Sequence, residues 1–162
     1  MLPSALPAKK RMNGDRYFVD TNVLLYAYDK SDHVKRALAK RWLALLWADT
    51  NCAVSWQVLP EFYSNAVGKF SVPREAARDL VRLMAEWDLP AVTIALIERA
   101  WYWTDEAQVS FWDAMIVAAA ERAGCKFLVS EDFQAGRKLD SVTVLNPFET
   151  SPPEAPSDAR SL

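Results

Sequence analysis

Four acidic residues stand where carboxylates can do chemistry: Asp20, Glu61, Asp113 and Asp132. Asp20 follows the apolar run Tyr17-Phe18-Val19, and Asp132 follows the run in KFLVSED, so each falls just past a short β-type segment. Glu61 sits among apolar neighbours in SWQVLPEFYSNAV, and Asp113 precedes a stretch that is almost wholly apolar through Ala120. A buried carboxylate is costly unless it starts a helix, is paired or holds a metal. Four converging carboxylates would repel one another, and their pKa values would rise. Oxygen ligands of this kind suit a hard divalent ion, Mg²⁺ or Mn²⁺, which removes the conflict.

Each acid also has a purely structural use. Asp113 lies three residues after Ser110, the spacing of a capping box. Asp20 can cap the helix that follows it, Asp132 can make a turn, and Glu61 can be an exposed helix residue beside a basic side chain. Taken together, those explanations need four coincidences, two of them at equivalent strand ends. Other chemistries are poorly supplied. His33 is the only histidine, which argues against a histidine-based zinc site or a catalytic triad. There is no glycine-rich phosphate loop.

The elements that must carry these acids alternate. β-type runs occur at 17–19, 52–55, 91–93, 126–129 and 142–145, with helical segments at 34–48, 56–68, 73–87, 94–107 and 110–123. Over 34–48, Val34, Ala37, Leu38, Trp42, Leu45 and Leu46 recur at helical spacing, opposite Lys35, Arg36, Lys40 and Arg41. Over 73–87 the apolar repeat is Ala76, Leu80, Leu83 and Trp87. Gly68 and Gly124 read as helix stops. The pattern predicts an α/β three-layer sandwich, with a central, mostly parallel sheet of four or five strands covered by helices. Such sheets bind ligands outside the carboxyl ends of their strands, the edge on which Asp20 and Asp132 fall.

Composition bounds the rest. The 162 residues suit one domain, expected over 16–148, with a flexible arm at 1–15 and a disordered tail over ETSPPEAPSDARSL at 149–162. A net charge of −2 gives no case for non-specific nucleic-acid binding by the whole surface. Cys52 and Cys125 make no disulfide framework. No apolar run reaches membrane-spanning length and the N-terminus lacks signal-peptide character, so a cytoplasmic protein with no membrane contact is expected.

With these motifs in view, the sequence resembles the PIN-domain ribonucleases, in particular the VapC-type toxins of toxin–antitoxin pairs. The resemblance runs from about Tyr17 to Phe148. It is carried by FVDTNVLLYAYD, the Glu of VLPEFYSNAV, SFWDAMIVAAA and FLVSEDFQAG. It implies a PIN-like fold and a Mg²⁺- or Mn²⁺-dependent endoribonuclease leaving 3′-hydroxyl and 5′-phosphate ends. Asp20, Glu61, Asp113 and Asp132 would be the acidic quartet, with Asp20 and Asp113 contacting the metal directly. Asn22 would position a carboxylate, Thr21 and Ser130 would line the site, and Ser110 fits the polar position before the third acid. Glu131, next to Asp132, is an alternative for the last acid. The resemblance further implies an RNA substrate, a cognate antitoxin and a homodimer.

Arg137 and Lys138 follow Asp132 and Gly136 and are candidates for an RNA phosphate; the stripe of Lys35, Arg36, Lys40 and Arg41 reads more simply as a solvated face. Among the seven tryptophans, Trp101 and Trp103 flank Tyr102, and these three cannot all face one core. Rival readings are an RNA-processing PIN nuclease outside any toxin–antitoxin pair, a non-catalytic interaction domain, and a haloacid-dehalogenase-type phosphatase. The phosphatase needs a second Asp where this chain has Asn22.

Overall fold

The structure, a computed structural model, describes residues 14–49 and 51–152. Most of the expected arm and most of the expected tail lie outside the described residues. Strand β1 (Tyr17–Val19) is buried at every position, which only a central strand covered on both faces allows. β1 pairs in parallel with β2 (Cys52–Ala53) on one side and β3 (Phe127–Val129) on the other. β3 pairs in parallel with β5 (Val142–Leu145), and β4 (Lys138–Leu139) closes the edge antiparallel to β5.

The five-stranded order is β2-β1-β3-β5-β4. The chain leaves β1 toward one edge and returns on its other side, so β1 and β3 flank a topological switch point. A crevice opens between the carboxyl ends of such a pair because the connections diverge to opposite sides.

Among the described residues six helices cover the sheet: α1 (Thr21–Tyr26), α2 (His33–Asp49), α3 (Val58–Gly68), α4 (Arg74–Met84), α5 (Ile94–Ala107) and α6 (Phe111–Arg122). α6 is buried at seven consecutive positions, Ala114 to Ala120. Alanine and valine there let α6 lie close against its neighbours. α2 contributes Ala39, Trp42, Leu43, Leu46 and Trp47 to the core. Trp42 is fully buried, and its indole N–H reaches the carbonyls of Pro147 and Thr150, each at 3.1 Å. That meets the polar need of a buried indole and ties the end of the domain to α2.

Several expectations are corrected. Residues 91–93 are not a strand. Pro90 breaks the segment's donor pattern, and Thr93 serves as N-cap of α5, its hydroxyl accepting from Leu96 N at 3.2 Å. The fifth strand is β4, reached through Asp140 at φ 51, a turn without a glycine signal. Val34 (71 % exposed) and Ala37 face solvent, and in α4 the buried alanine is Ala77 and not Ala76. Alanine is apolar enough to be read onto either face, so it fixes helix phase weakly. Gly68 ends α3, yet the left-handed residue of that turn is Ser71, at φ 55.

Gly124 does act as the expected stop. It has φ +67, its N–H donates to Glu121 O at 2.9 Å, and Cys125 N donates to Ala120 O at 3.0 Å. That pair of bonds is a Schellman ending, which needs the left-handed conformation. A Cβ at Gly124 meets open space, so Gly124→Ala should cost only the backbone strain, about 1 kcal/mol. Urea unfolding would show a lower midpoint with an unchanged slope.

Candidate active site

Asp20 is placed by the end of β1. Its N–H still donates to Val129 O of β3, at 3.0 Å, and its own carbonyl accepts from Val23 N at 3.2 Å, starting α1. It is the N-cap of α1, and Oδ1 accepts from Thr21 N at 2.7 Å. Oδ2 accepts from Ser130 Oγ at 2.7 Å and from Asn22 Nδ2 at 3.3 Å. The residue is only 6 % exposed.

Burial is the main reason that the Asp20 carboxyl is pushed up to about 7. The bonds from Ser130 and Thr21 oppose that rise, and the charges of Asp132 and Glu61 add to it.

The β3 side of the crevice is built around Ser130, which is fully buried. Its hydroxyl donates to Asp20 and accepts from Asn22 Nδ2 at 3.2 Å and from Asp132 N at 3.1 Å. Both lone pairs and the proton are therefore used, which fixes the hydroxyl's orientation. Asn22 Oδ1 accepts from Glu131 N at 3.4 Å. Together these bonds lock the turn carrying Asp132 to the start of α1.

Glu61 enters from the first turn of α3, where Oε2 accepts from Thr21 Oγ1 at 3.1 Å. Thr21 thus touches two acids, Asp20 through its backbone and Glu61 through its side chain. Asp113 sits in the first turn of α6, its N–H capped by Ser110 Oγ at 3.2 Å. No hydrogen bond joins its carboxylate to the other three among the described residues. The start of α6 is held to the start of α3 by Gln57 Nε2, which donates to Trp112 O at 3.3 Å.

None of the four acids is in an ion pair among the described residues. Glu131 differs: it pairs with Lys35, which also lies over the Tyr26 ring at 4.7 Å and the Phe148 ring at 5.2 Å. Lys35 is thus partly enclosed, unlike the exposed Lys40 and Arg41 of the same stripe. Arg137 donates from Nη2 to Ala107 O at 2.7 Å, while Lys138 lies exposed on edge strand β4.

The donor set fits a hard divalent ion. It is all oxygen, it carries excess negative charge, and its buried member lacks a cationic partner. As placed, no three acidic, histidine or cysteine groups close into a metal cage among the described residues. Mg²⁺ does not need such a cage, since it keeps several waters and takes one or two carboxylates directly. Glu61 and Asp132 are exposed, which leaves their carboxylates free to turn.

A family model for the PIN domain matches residues 17–138, most of the chain, a span that includes Asp20, Glu61, Asp113 and Asp132. The chain belongs to the PIN-domain family. The PIN fold recurs in a solved toxin–antitoxin complex from Klebsiella pneumoniae, with TM-score 0.62 and 20 % identity over 81 % of this chain and 97 % of that one. It recurs in Mycobacterium tuberculosis VapC20, described as a sarcin–ricin loop cleaving toxin, with TM-score 0.56 and 26 % identity over 72 % of this chain and 91 % of that one. No curated protein matches the chain. No helix among the described residues of this PIN domain is long and apolar enough to cross a membrane.

Two features of the PIN site were missed from the sequence. One is the Lys35–Glu131 pair, which joins residues far apart along the chain and leaves no local signal. The other is the Gln57–Trp112 joint. Its acceptor is a backbone carbonyl, which any residue at position 112 supplies, so it too leaves no local signal.

Proposed function

We propose that this PIN domain is a divalent-metal-dependent endoribonuclease, the toxin of a cytoplasmic toxin–antitoxin pair, acting as a homodimer and restrained by a cognate antitoxin. The observation that carries the reading is Asp20: a buried carboxylate, without a cationic partner among the described residues, held between two strand ends and pressed by the charges of Glu61 and Asp132. Proteins do not keep such an arrangement for stability, because an ion pair or an apolar residue there would cost less. Membership of the PIN family and the likeness to VapC20 support nuclease chemistry and a toxin role.

Asp20 and Asp113 would hold Mg²⁺ or Mn²⁺ directly, with Glu61 and Asp132 binding through water or orienting the attacking water. When bound, the ion supplies positive charge to the phosphodiester and makes water a better nucleophile. Ser130 and the Thr21 N–H orient the Asp20 carboxylate and hold down its proton affinity. Asn22 braces Ser130 and the turn bearing Asp132. Lys138 is the freer candidate for a substrate phosphate, since Arg137 already serves the Ala107 carbonyl.

Purified protein incubated with total RNA should cleave it with Mg²⁺ or Mn²⁺ and stop when the ion is chelated. Cleavage that continues in chelator would defeat the metal mechanism. Ser130→Ala should slow cleavage about 10- to 100-fold, the usual cost of losing a residue that orients a metal ligand. A rate within twofold of the unsubstituted protein would deny Ser130 that role.

A further inference from the structure

Trp56 and Trp112 are large apolar side chains that the fold leaves outside, 53 % and 64 % exposed. They flank the joint at which Gln57 Nε2 meets Trp112 O. That joint lies between two of the acids: Glu61 is one helical turn along α3, its N–H donating to Gln57 O at 3.4 Å, and Asp113 directly follows Trp112. The Trp112 indole is not loose. It packs edge-on against the Phe111 ring, centroids 5.3 Å apart at 64°, which steadies the ring while leaving area uncovered.

Charge leaves work for these rings. The crevice is acidic and repels a phosphate backbone before any ion enters. Two of the nearby cations are engaged, Lys35 by Glu131 and Arg137 by the Ala107 carbonyl, while Lys138 stands exposed on β4. A single strand that crosses such a site needs a contact that does not depend on charge. Base–aromatic stacking supplies one, and any base can use it.

We infer that Trp112, steadied by Phe111, is a stacking platform for a nucleobase flanking the scissile phosphate of single-stranded RNA, and is a binding rather than a metal-holding residue. This inference rests on the nuclease reading for its substrate, while its test stands apart from cleavage. The probes are a fluorescein-labelled single-stranded RNA octamer and an abasic ribose-phosphate octamer of equal length, titrated against the full chain in chelator. Trp112→Ala should weaken octamer binding about tenfold, and Trp112→Phe should restore most of it, as expected for one lost stacking contact. The abasic probe should bind the unsubstituted protein about as weakly as Trp112→Ala binds the octamer. Trp112→Ala should bind both probes alike. With Mn²⁺, Trp112→Ala should raise KM for octamer cleavage and leave kcat within about twofold.

Unchanged octamer affinity in Trp112→Ala would overturn the platform and assign the exposed indoles to a protein contact. An equal loss on the abasic probe would overturn it too, because the residue would then be serving the backbone. Absence of metal-dependent cleavage by the unsubstituted protein would strike the nuclease reading alone, since base-dependent binding is read without turnover.

Discussion

Asp20→Asn is expected to remove RNA cleavage, by at least about 10³-fold in rate, while leaving the folded chain more stable than the unsubstituted one at neutral pH without metal. The first half follows from position: Asp20 is the carboxylate fixed by bonds from both strand ends, and a metal-assisted phosphoryl transfer depends on several kcal/mol of charge stabilisation held in place there. Asparagine keeps the size and much of the hydrogen bonding and removes only the charge.

The second half follows from the proton. The Asp20 carboxyl titrates from 3.8 in the reference state to about 7 in the folded chain, chiefly through burial. Between those values the folded chain keeps a proton that the unfolded chain has released. Stability from this group is therefore full below pH ~4 and is lost as pH rises toward 7, the reverse of an ordinary salt-bridged aspartate. The ceiling on that loss is about 4 kcal/mol. Thermal melts in chelator should show the two proteins alike at pH 4 and separating by several degrees at pH 7.5, with Asp20→Asn higher. Adding Mn²⁺ should raise the melting midpoint of the unsubstituted protein and not of Asp20→Asn, because an ion that binds the folded state stabilises it by mass action. A variant that still cleaves RNA, or a midpoint gap that is the same at both pH values, would refute this account of Asp20.

How far the sequence shows this site depends on the length over which each interaction acts. β1 is legible because Tyr17-Phe18-Val19 is apolar without alternation, and Asp20 marks its end. α5 is legible over its full length, Ile94–Ala107, although the Thr93 that caps it falls in the run 91–93 that reads as a strand. Gly124 is legible because a left-handed residue at a helix end is a local event. The β4–β5 hairpin was not, since Asp140 takes the positive φ that glycine usually announces. The helix phases slipped at Ala37 of α2 and Ala76 of α4, which carry too little apolar area to decide a face, and at Val34, which stands exposed in the first turn of α2. The triangle of Asp20, Ser130 and Asn22 spans more than 100 residues of chain. Nothing in either segment alone states that they meet; the parallel register of β1 with β3 brings them together.

That register also explains why the acids divide into two kinds. Asp20 belongs to the sheet's edge, its carboxylate fixed by bonds from both strand ends, and Asp132 to the exposed turn after β3, its N–H held by Ser130 Oγ. Glu61 and Asp113 arrive on the first turns of α3 and α6, two helix starts pinned to each other by Gln57. Helix N-termini favour carboxylates even with no metal, through their unpaired N–H groups and dipole. Position alone therefore cannot separate a catalytic Asp113 from one that serves the helix.

Asp113→Asn separates them. The observed cap of α6 is Ser110, whose hydroxyl receives the Asp113 N–H. The reciprocal bond that would complete a capping box, from the Ser110 N–H to the Asp113 carboxylate, is not among the hydrogen bonds at this helix start. A neutral amide at position 113 thus gives up only a dipole interaction of about 0.3–1 kcal/mol, a shift of a few degrees or less in melting midpoint. If Asp113 instead contacts the catalytic metal, the same substitution removes a ligand charge, and cleavage should fall about 100-fold or more. The Mn²⁺-induced rise in melting midpoint should shrink in parallel, reporting the lost ligand without any RNA present. Near-normal cleavage and an intact Mn²⁺ shift would return Asp113 to its helix and leave the ion to Asp20 together with Glu61 and Asp132, the acids whose charges act on Asp20.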